Sequence, residues 1–257
     1  MSTSKSKGIQ IVTDSTSDID PNAASDLGIH VVPLYVHFGE DSYKDSIDIS
    51  ADEFYEKLVG GTISPKTSQP TPEDFADIYR DLAAKGPVLS MHVSNLLSGT
   101  MNSATLARDI VLKEMPEAQI TVVDTFLASL GLANAVIETK KFCDDGASIE
   151  EAAEFAKSIS ARTRIIVSVD TLEYLVRGGR IGKARGLVGG LIQIKPILHL
   201  VDGEIHPYEQ VRTTRKARNR LISIVTEQKD SIVGAAVATT TELELANEIA
   251  GTLKTEL

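Results

Sequence analysis

Residues 87–113 read PVLSMHV-SNLLSGT-MNSATLARDIVLK, and this stretch decides the fold. Pro87 to Val93 is an apolar run typical of a buried parallel strand, and Met101 to Lys113 has the pattern of a helix. The polar loop between them is therefore expected at the carboxyl end of a strand, where open α/β sheets bind ligands.

The loop has the composition of an anion site. Ser94, Asn95, Ser98 and Thr100 carry hydroxyl or amide donors, and Gly99 lets the backbone approach a ligand closely. The first N–H groups of the following helix are unpaired and carry the positive end of its dipole. These features predict a site for a carboxylate or phosphate, although a loop that only caps the helix would show the same residues.

Composition narrows the class of protein. The chain has 257 residues, 42% of them hydrophobic and 24% charged, as in globular proteins with a sizeable core. A single cysteine, Cys143, cannot form an internal disulfide and suits a reducing compartment. No stretch reaches 18 apolar residues and no apolar run follows the first seven residues, so we expect a cytoplasmic protein without stable membrane insertion.

Charge is unevenly distributed. The net charge is −10, yet residues 161–220 hold 12 Lys and Arg against 5 Asp and Glu, so this segment carries +7 and the remainder −17. A strongly acidic body argues against general nucleic-acid binding, which needs a basic face. The basic segment could meet phosphate or an acidic partner, or it could be a solvated helix face.

The first part of the chain alternates strands with helices. Strands are predicted at Gly8–Thr13, His30–Phe38, Pro87–Val93 and Gln119–Val123. Helices are predicted at Pro21–Leu27, after the caps Ser50 and Thr71, at Met101–Lys113, near Leu127–Phe142, and at Ile149–Ile159 after the cap Ser148. This βαβ rhythm predicts an N-terminal α/β domain at 8–160, with a mostly parallel sheet flanked by helices.

A second domain, 161–257, is predicted from a different pattern. Strand Thr163–Val169 is followed by a short helix, and Ile194–Leu200 and Glu204–Val211 flank Asp202-Gly203, the strongest hairpin signal in the chain. A basic helix Thr213–Gln228, a strand Ile232–Thr239 and a helix Glu242–Leu253 complete the prediction. The fold class is therefore α/β with two domains, the second containing a β-hairpin.

Three further segments are candidate sites. The stiff, proline-rich loop Ser64–Pro72 could hold Thr67 where it donates to a ligand, or it could be a rigid linker. Thr13–Thr16 closes the first strand, either as part of the site or as an Asp-centred turn. Arg177 and Arg180 flank two glycines and could place charge at a cleft mouth, or they could be ordinary surface arginines.

Signatures of catalysis are absent from the sequence. It contains no G-x-S-x-G elbow, H-E-x-x-H, cysteine pair, P-loop or strand-following G-x-G-x-x-G. The five histidines are scattered on predicted strands, and no base is evident that would activate Ser94 or Ser98. We expect neither a metal nor a cofactor, and no catalytic residues.

Several motifs together resemble the DegV family. They are T-D-S at 13–15, T-S-Q-P at 67–70, S-x-L-L-S-G-T at 94–100, V-D-T at 123–125, L-E-Y-L-x-x-G-G-R-I-G at 172–182, I-K-P-I-L at 194–198 and V-R-T-x-R-K-A at 211–217. Each is weak alone, but the ordered set is specific and covers about residues 8 to 220. The resemblance implies a protein that binds a long-chain fatty acid between two α/β domains.

The resemblance also implies a partner and residue roles. The family presents the fatty acid carboxylate to the ATP-binding catalytic subunit of a fatty acid kinase, for acyl phosphate formation, and is not itself an enzyme. Thr67 and Ser94 match the carboxylate-binding hydroxyls, with Asn95, Ser98, Gly99 and Thr100 at the helix start. Arg177 matches the arginine guarding the head group, and Arg180 and Arg212 match basic positions that face the kinase.

Two departures from the family pattern stand out. Asn95 occupies a position where a second serine is common, and no H-x-G-P-G-like segment, whose histidine touches the head group, precedes Leu257. In the family pattern, the head-group site and the final strands are completed by this segment. The alternatives are a stand-alone small-molecule enzyme handling phosphate at the Ser94–Thr100 loop and a lipid-sensing regulator without a kinase partner.

Overall fold

The computed structural model describes residues 8–188, 194–240 and 242–257, and the chain divides into two units at Thr163/Arg164. Residues 1–7, on which the expected absence of a leader partly rests, lie outside the described residues. The strands are β1 (Gln10–Asp14), β2 (Ile29–Val32), β3 (Tyr35–Phe38), β4 (Asp41–Lys44), β5 (Lys66–Ser68), β6 (Val88–His92), β7 (Ile120–Asp124), β8 (Ile166–Ser168), β9 (Lys195–Val201) and β10 (Glu204–Val211). The helices are α1 (Pro21–Leu27), α2 (Ala51–Gly60), α3 (Pro72–Ala83), α4 (Thr100–Glu114), α5 (Ser129–Asp144), α6 (Ile149–Arg162), α7 (Glu173–Gly178), α8 (Thr214–Thr226) and α9 (Leu243–Glu256).

The first unit is built on a four-stranded parallel sheet in the order β2-β1-β6-β7. Strand β6 is central and all five of its residues are buried, which explains its continuous apolar run. Because the strands are parallel, the loops that follow β1, β6 and β7 emerge at one edge of the sheet. The predicted parallel sheet is confirmed.

Helices cover this sheet. One buried core lies between the sheet and two of the helices. It contains Val12 of β1, Phe75 and Tyr79 of α3, and Ala104 and Val111 of α4. Helices α5 and α6 pack against each other and against β1, β6 and β7. The sheet is therefore flanked by helices, as predicted.

Local capping sets where these helices begin. Ser50 caps α2 and Ser148 caps α6, as predicted, and each forms a capping box, with Glu53 and with Glu151. Thr71 caps α3, with Pro72 in its first turn. None of the described helices is both long and apolar enough to cross a membrane.

The prediction of one strand at His30–Phe38 is wrong. The segment forms β2 in the parallel sheet and then β3 in a separate antiparallel sheet of order β4-β3-β5. Pro33 interrupts the run because it has no N–H to donate to a ladder. The next N–H, on Leu34, donates instead to Ser15 Oγ at 3.0 Å.

The second unit contains an antiparallel sheet of order β10-β9-β8, against which α8 packs. Asp202 and Gly203 join β9 to β10 with φ of 48° and 81°. Two successive positive φ angles are the geometry of a type I′ turn, so the predicted hairpin is confirmed.

The predicted strand at Ile232–Thr239 is wrong. The described residues 232–239 form no strand, and Val233 is fully exposed. An apolar run forms a strand only when its backbone N–H and C=O groups pair with those of a neighbouring strand. Among the described residues, no strand pairs with this segment.

Candidate functional site

The Ser94–Thr100 loop follows β6 at the carboxyl edge of the parallel sheet and is fastened to the loop after β7. Ser94 N–H donates to Leu127 O at 2.9 Å, and Asn95 N–H donates to Asp124 Oδ2 at 3.2 Å. Thr125 Oγ1 adds a hydrogen bond to His92 O at 2.8 Å. The neighbouring strand ends therefore fix the position of the loop.

The loop also folds on itself. The N–H groups of Leu97 and Ser98 donate to Ser94 O at 3.0 and 3.1 Å, and Leu96 N–H donates to Ser94 Oγ at 3.2 Å. Ser94 is fully buried. Its hydroxyl oxygen is thus held in one orientation by the backbone of the loop.

The last residues of the loop form the start of α4. Ser98 Oγ and Thr100 Oγ1 lie 2.9 Å apart, and Thr100 N–H donates to Ser98 Oγ at 3.3 Å. Gly99 is the N-cap, and it provides no side-chain cap. The N-terminus of this 15-residue helix, with its partial positive charge, therefore points toward the loop.

The T-S-Q-P motif lies beside this loop. A Cβ built on Gly99 would come within 2.9 Å of Gln69 Nε2. Thr67 is exposed on β5, opposite Val36, and is only two residues, at most about 7 Å, from Gln69. The structure therefore brings the segment of Thr67 to the segment of Ser98, Gly99 and Thr100.

Asp14, at the end of β1, lies beneath the loop. Its Oδ2 accepts from Val93 N–H at 3.1 Å and lies 2.9 Å from His92 Nδ1, and its Oδ1 accepts from Thr16 N–H at 3.1 Å. Asp14 and His92 are fully buried. The T-D-S motif thus supports the loop from within the sheet.

Asp124 sets the electrostatics at the loop edge. Burial raises the pKa of its carboxyl group, while hydrogen bonds from the N–H groups of Phe126 and Asn95 act in the opposite direction. The backbone N–H of Asn95 therefore already donates to Asp124 and is not available to an anion. An anion at this edge would be bound mainly by hydroxyl groups and the α4 N-terminus.

The three predicted arginines all lie in the second unit and are exposed. Arg177 pairs with Glu173 one turn earlier in α7, at 2.5 Å. Arg180 Nη1 donates to Gly178 O at 2.5 Å, just after Gly179 ends α7 with a φ of 75°. Arg212 follows β10.

The described residues offer little for catalysis. No group of three or more His, Cys, Asp or Glu side chains among them is placed to hold a metal ion. Ser90, His92 and Asp14 occur in the order of a hydrolase triad, but Ser90 lies inside the central strand β6, and its hydroxyl is held between Tyr79 OH and His92 Nε2. The arrangement can bind an anion through neutral donors.

Two features of the site were not predicted from the sequence. One is the contact between Gln69 and Gly99, and the other is the link from Asp14 to His92. The sequence does contain a signal for the second feature, since Asp14 and His92 are polar residues in otherwise apolar strands, and buried polar groups need partners. The identity of the partner depends on strand order, which the pattern of residues does not give.

Comparisons with known proteins agree with this fold. A model of the DegV family, described as uncharacterised proteins, matches residues 8–257. A DegV domain-containing protein of Halalkalibacterium halodurans is 36% identical over 252 residues, or 96% of this chain and 88% of the relative.

Solved structures match as well. A structure described as fatty acid binding of a DegV family protein from Thermus thermophilus is 39% identical, with a TM-score of 0.79, over 87% of this chain and 79% of that one. A stearic acid-binding protein from Eubacterium ventriosum is 30% identical, with a TM-score of 0.87, over 96% of this chain and 88% of that one. This chain belongs to the DegV family.

Proposed function

We propose that this protein binds a long-chain fatty acid and presents its carboxylate to a fatty acid kinase, which forms the acyl phosphate. The observation that carries the proposal is the buried Ser94 hydroxyl, held at the beginning of the loop that leads from β6 to α4, in a fold shared with fatty acid-binding relatives. Thr67 supplies a second hydroxyl from β5 in this proposal. The protein binds and presents the ligand, and the partner supplies the chemistry.

Neutral donors suit a carboxylate that must react. Ser94, Thr67 and the α4 N-terminus would orient the carboxylate through hydrogen bonds without a formal opposite charge. A bidentate arginine would bind it more tightly and reduce its nucleophilicity. The proposed site thus holds the head group and leaves an oxygen able to attack phosphorus.

The acyl chain would supply most of the affinity. Burial of a methylene group contributes ~0.8 kcal/mol, so a chain of ~15 methylenes gives about 12 kcal/mol before costs. Lost translational and conformational freedom offsets much of this. Head-group contacts would therefore determine orientation more than affinity.

The basic segment 161–220 is assigned the partner-facing role. Arg177 would neighbour the head group from the second unit, while Arg180 and Arg212 would face the kinase. Exposed arginines near a reacting carboxylate would attract an acidic partner surface and stabilise the transferred phosphoryl group. The pocket itself, between the two units, and a cytoplasmic location belong to the same proposal.

Native mass spectrometry of the protein purified from bacteria tests the binding. We expect an adduct with the mass of a long-chain fatty acid, lost on delipidation and restored by palmitate or oleate. Apoprotein alone, with no uptake of either acid, would refute the proposed function.

The partner role needs a separate test with a cognate kinase. Charge reversal in Arg212→Glu should slow acyl phosphate formation and weaken complex formation, while palmitate binding stays unchanged. Lys85→Glu is the control because Lys85 is exposed before β6, at the opposite edge of the sheet. Equal rates for the two variants would contradict a partner-facing role for Arg212.

A further inference from the structure

Four buried side chains form a continuous hydrogen-bonded chain through the first unit. Tyr79 OH donates to Ser90 Oγ at 2.7 Å, Ser90 Oγ lies 2.7 Å from His92 Nε2, and His92 Nδ1 lies 2.9 Å from Asp14 Oδ2. All four residues are fully buried. The chain ends at the carboxylate that also accepts from Val93 N–H.

One arrangement of protons satisfies every group in this chain. The Asp14 carboxylate accepts, so His92 Nδ1 carries the proton and donates to it. His92 Nε2 then accepts from Ser90 Oγ, which in turn accepts from Tyr79. In this arrangement every donor points toward Asp14.

Burying a carboxylate is costly unless several donors surround it. Asp14 has four, namely Val93 N–H, His92 Nδ1, Thr16 N–H and Thr16 Oγ1. Two of these donors belong to β6 and the residue after it, directly before Ser94. The carboxylate therefore fixes the point at which the backbone leaves the sheet and enters the Ser94–Thr100 loop.

We propose that Asp14 and His92 are positioning residues that hold Ser94 in the orientation needed to bind the ligand carboxylate. This inference rests on the proposed function of the same site. Neither side chain has a polar atom left for the ligand, since both ring nitrogens of His92 and both carboxylate oxygens of Asp14 already have partners. They act through Val93 N–H and the backbone of the loop.

The substitution Asp14→Asn isolates this role. An amide has one accepting oxygen and one donating NH₂ group, whereas Asp14 accepts on both sides. In either flip, the NH₂ group faces a backbone N–H, that of Val93 or that of Thr16, which cannot turn away. One flip breaks the hydrogen bond at the start of the loop, and the other breaks the turn at Thr16 that holds Asp14 itself, so the anchor of the loop should weaken in both while the volume of the side chain is conserved.

Binding of palmitate and hexadecanol to each variant is the test. The two probes share a tail, so their affinity ratio reports on the head group alone. For Asp14→Asn we expect about three- to tenfold weaker palmitate binding, the effect of one misplaced hydrogen bond, with hexadecanol binding unchanged. His92→Leu should act similarly, whereas His92→Asn should restore the ratio because its amide can donate to Asp14.

Thr139→Val is the matched control. Thr139 is fully buried in α5, and its hydroxyl has no hydrogen-bond partner among the described residues, so this core substitution should leave the ratio unchanged. If wild-type protein binds no palmitate, the proposed function fails. If it does bind, a wild-type ratio in Asp14→Asn and His92→Leu overturns the positioning role, as does an equal loss for both probes.

Discussion

Gln69 lies directly against Gly99, so that a Cβ on Gly99 would come within 2.9 Å of Gln69 Nε2. The two residues belong to motifs about 30 positions apart in the sequence, and they lie in segments that follow strands of different sheets, β5 and β6. Their contact joins the segment of Thr67 to the start of α4. Gly99 is required here for the close approach of a side chain, since its φ of −76° is accessible to any residue.

Gly99→Ala should therefore affect ligand binding more than folding. The added methyl group would displace the end of the exposed Gln69 side chain, which can move. We expect the free energy of unfolding, measured in urea, to change by less than about 1 kcal/mol. Palmitate binding should weaken, whereas Gly251→Ala in α9, where nothing lies within 4 Å of the added Cβ, should leave it intact. Unchanged palmitate affinity in Gly99→Ala would contradict this.

Thr67→Val tests the hydroxyl on β5. Valine keeps the shape and the strand preference of threonine, and it removes one donor. We expect palmitate affinity to fall by ~0.5–1.5 kcal/mol, the net value of one hydrogen bond. Thr62→Val, in the exposed segment before β5, should bind palmitate like the wild type. Equal affinities measured by calorimetry for the two variants would remove Thr67 from the site.

Gly182 tests the glycine-rich motif of the second unit. Its φ is +52°, and a Cβ there would meet the backbone carbonyl of Ile205 at 2.5 Å. Gly182→Ala should lower the free energy of unfolding by about 1–3 kcal/mol, since a rigid backbone atom cannot yield. Gly186→Ala, in the same short 3₁₀ helix but with open space around the new Cβ, should be nearly neutral. Equal unfolding midpoints for the two variants would contradict this account.

Cys143 gives a dependence of stability on pH. Burial raises the pKa of its thiol from 9.0 to about 11. Between these values the folded chain keeps a proton that the unfolded chain has lost, so the free energy of unfolding falls as pH rises through this window, by up to about 1.4 kcal/mol per unit. Cys143→Ala has no thiol to titrate. The free energy of unfolding of the wild type should therefore fall relative to that of Cys143→Ala between pH 9 and pH 11. Parallel curves would contradict the shift.

Helix starts and the hairpin could be predicted from the sequence because their signals are local. Ser148 and Glu151 form their capping box within one turn, and Asp202-Gly203 sets the turn between adjacent strands. The Ser94–Thr100 loop was predictable for the same reason, as strand, loop and helix are contiguous.

The remaining features depend on pairings across the fold. His30–Phe38 reads as one apolar strand, and only the neighbours of β2 and β3 reveal that Pro33 divides it between two sheets. The segment 232–239 has a strand-like composition, but among the described residues it has no strand to pair with. The link from Asp14 to His92 spans 78 positions and follows from the adjacency of β1 and β6.

The division at Pro33 has a consequence for local motion. Thr67 belongs to the small antiparallel sheet, whose own core is Val36, Phe38 and Ile49, whereas Ser94 lies just after the fully buried central strand β6. A small core opens at lower free energy than a large one, so amide protons of β5 should exchange with solvent faster than those of β6. The Thr67 hydroxyl would then leave its position more often than the Ser94 hydroxyl. Transient release of Thr67 would let a ligand exchange without unfolding of the parallel sheet.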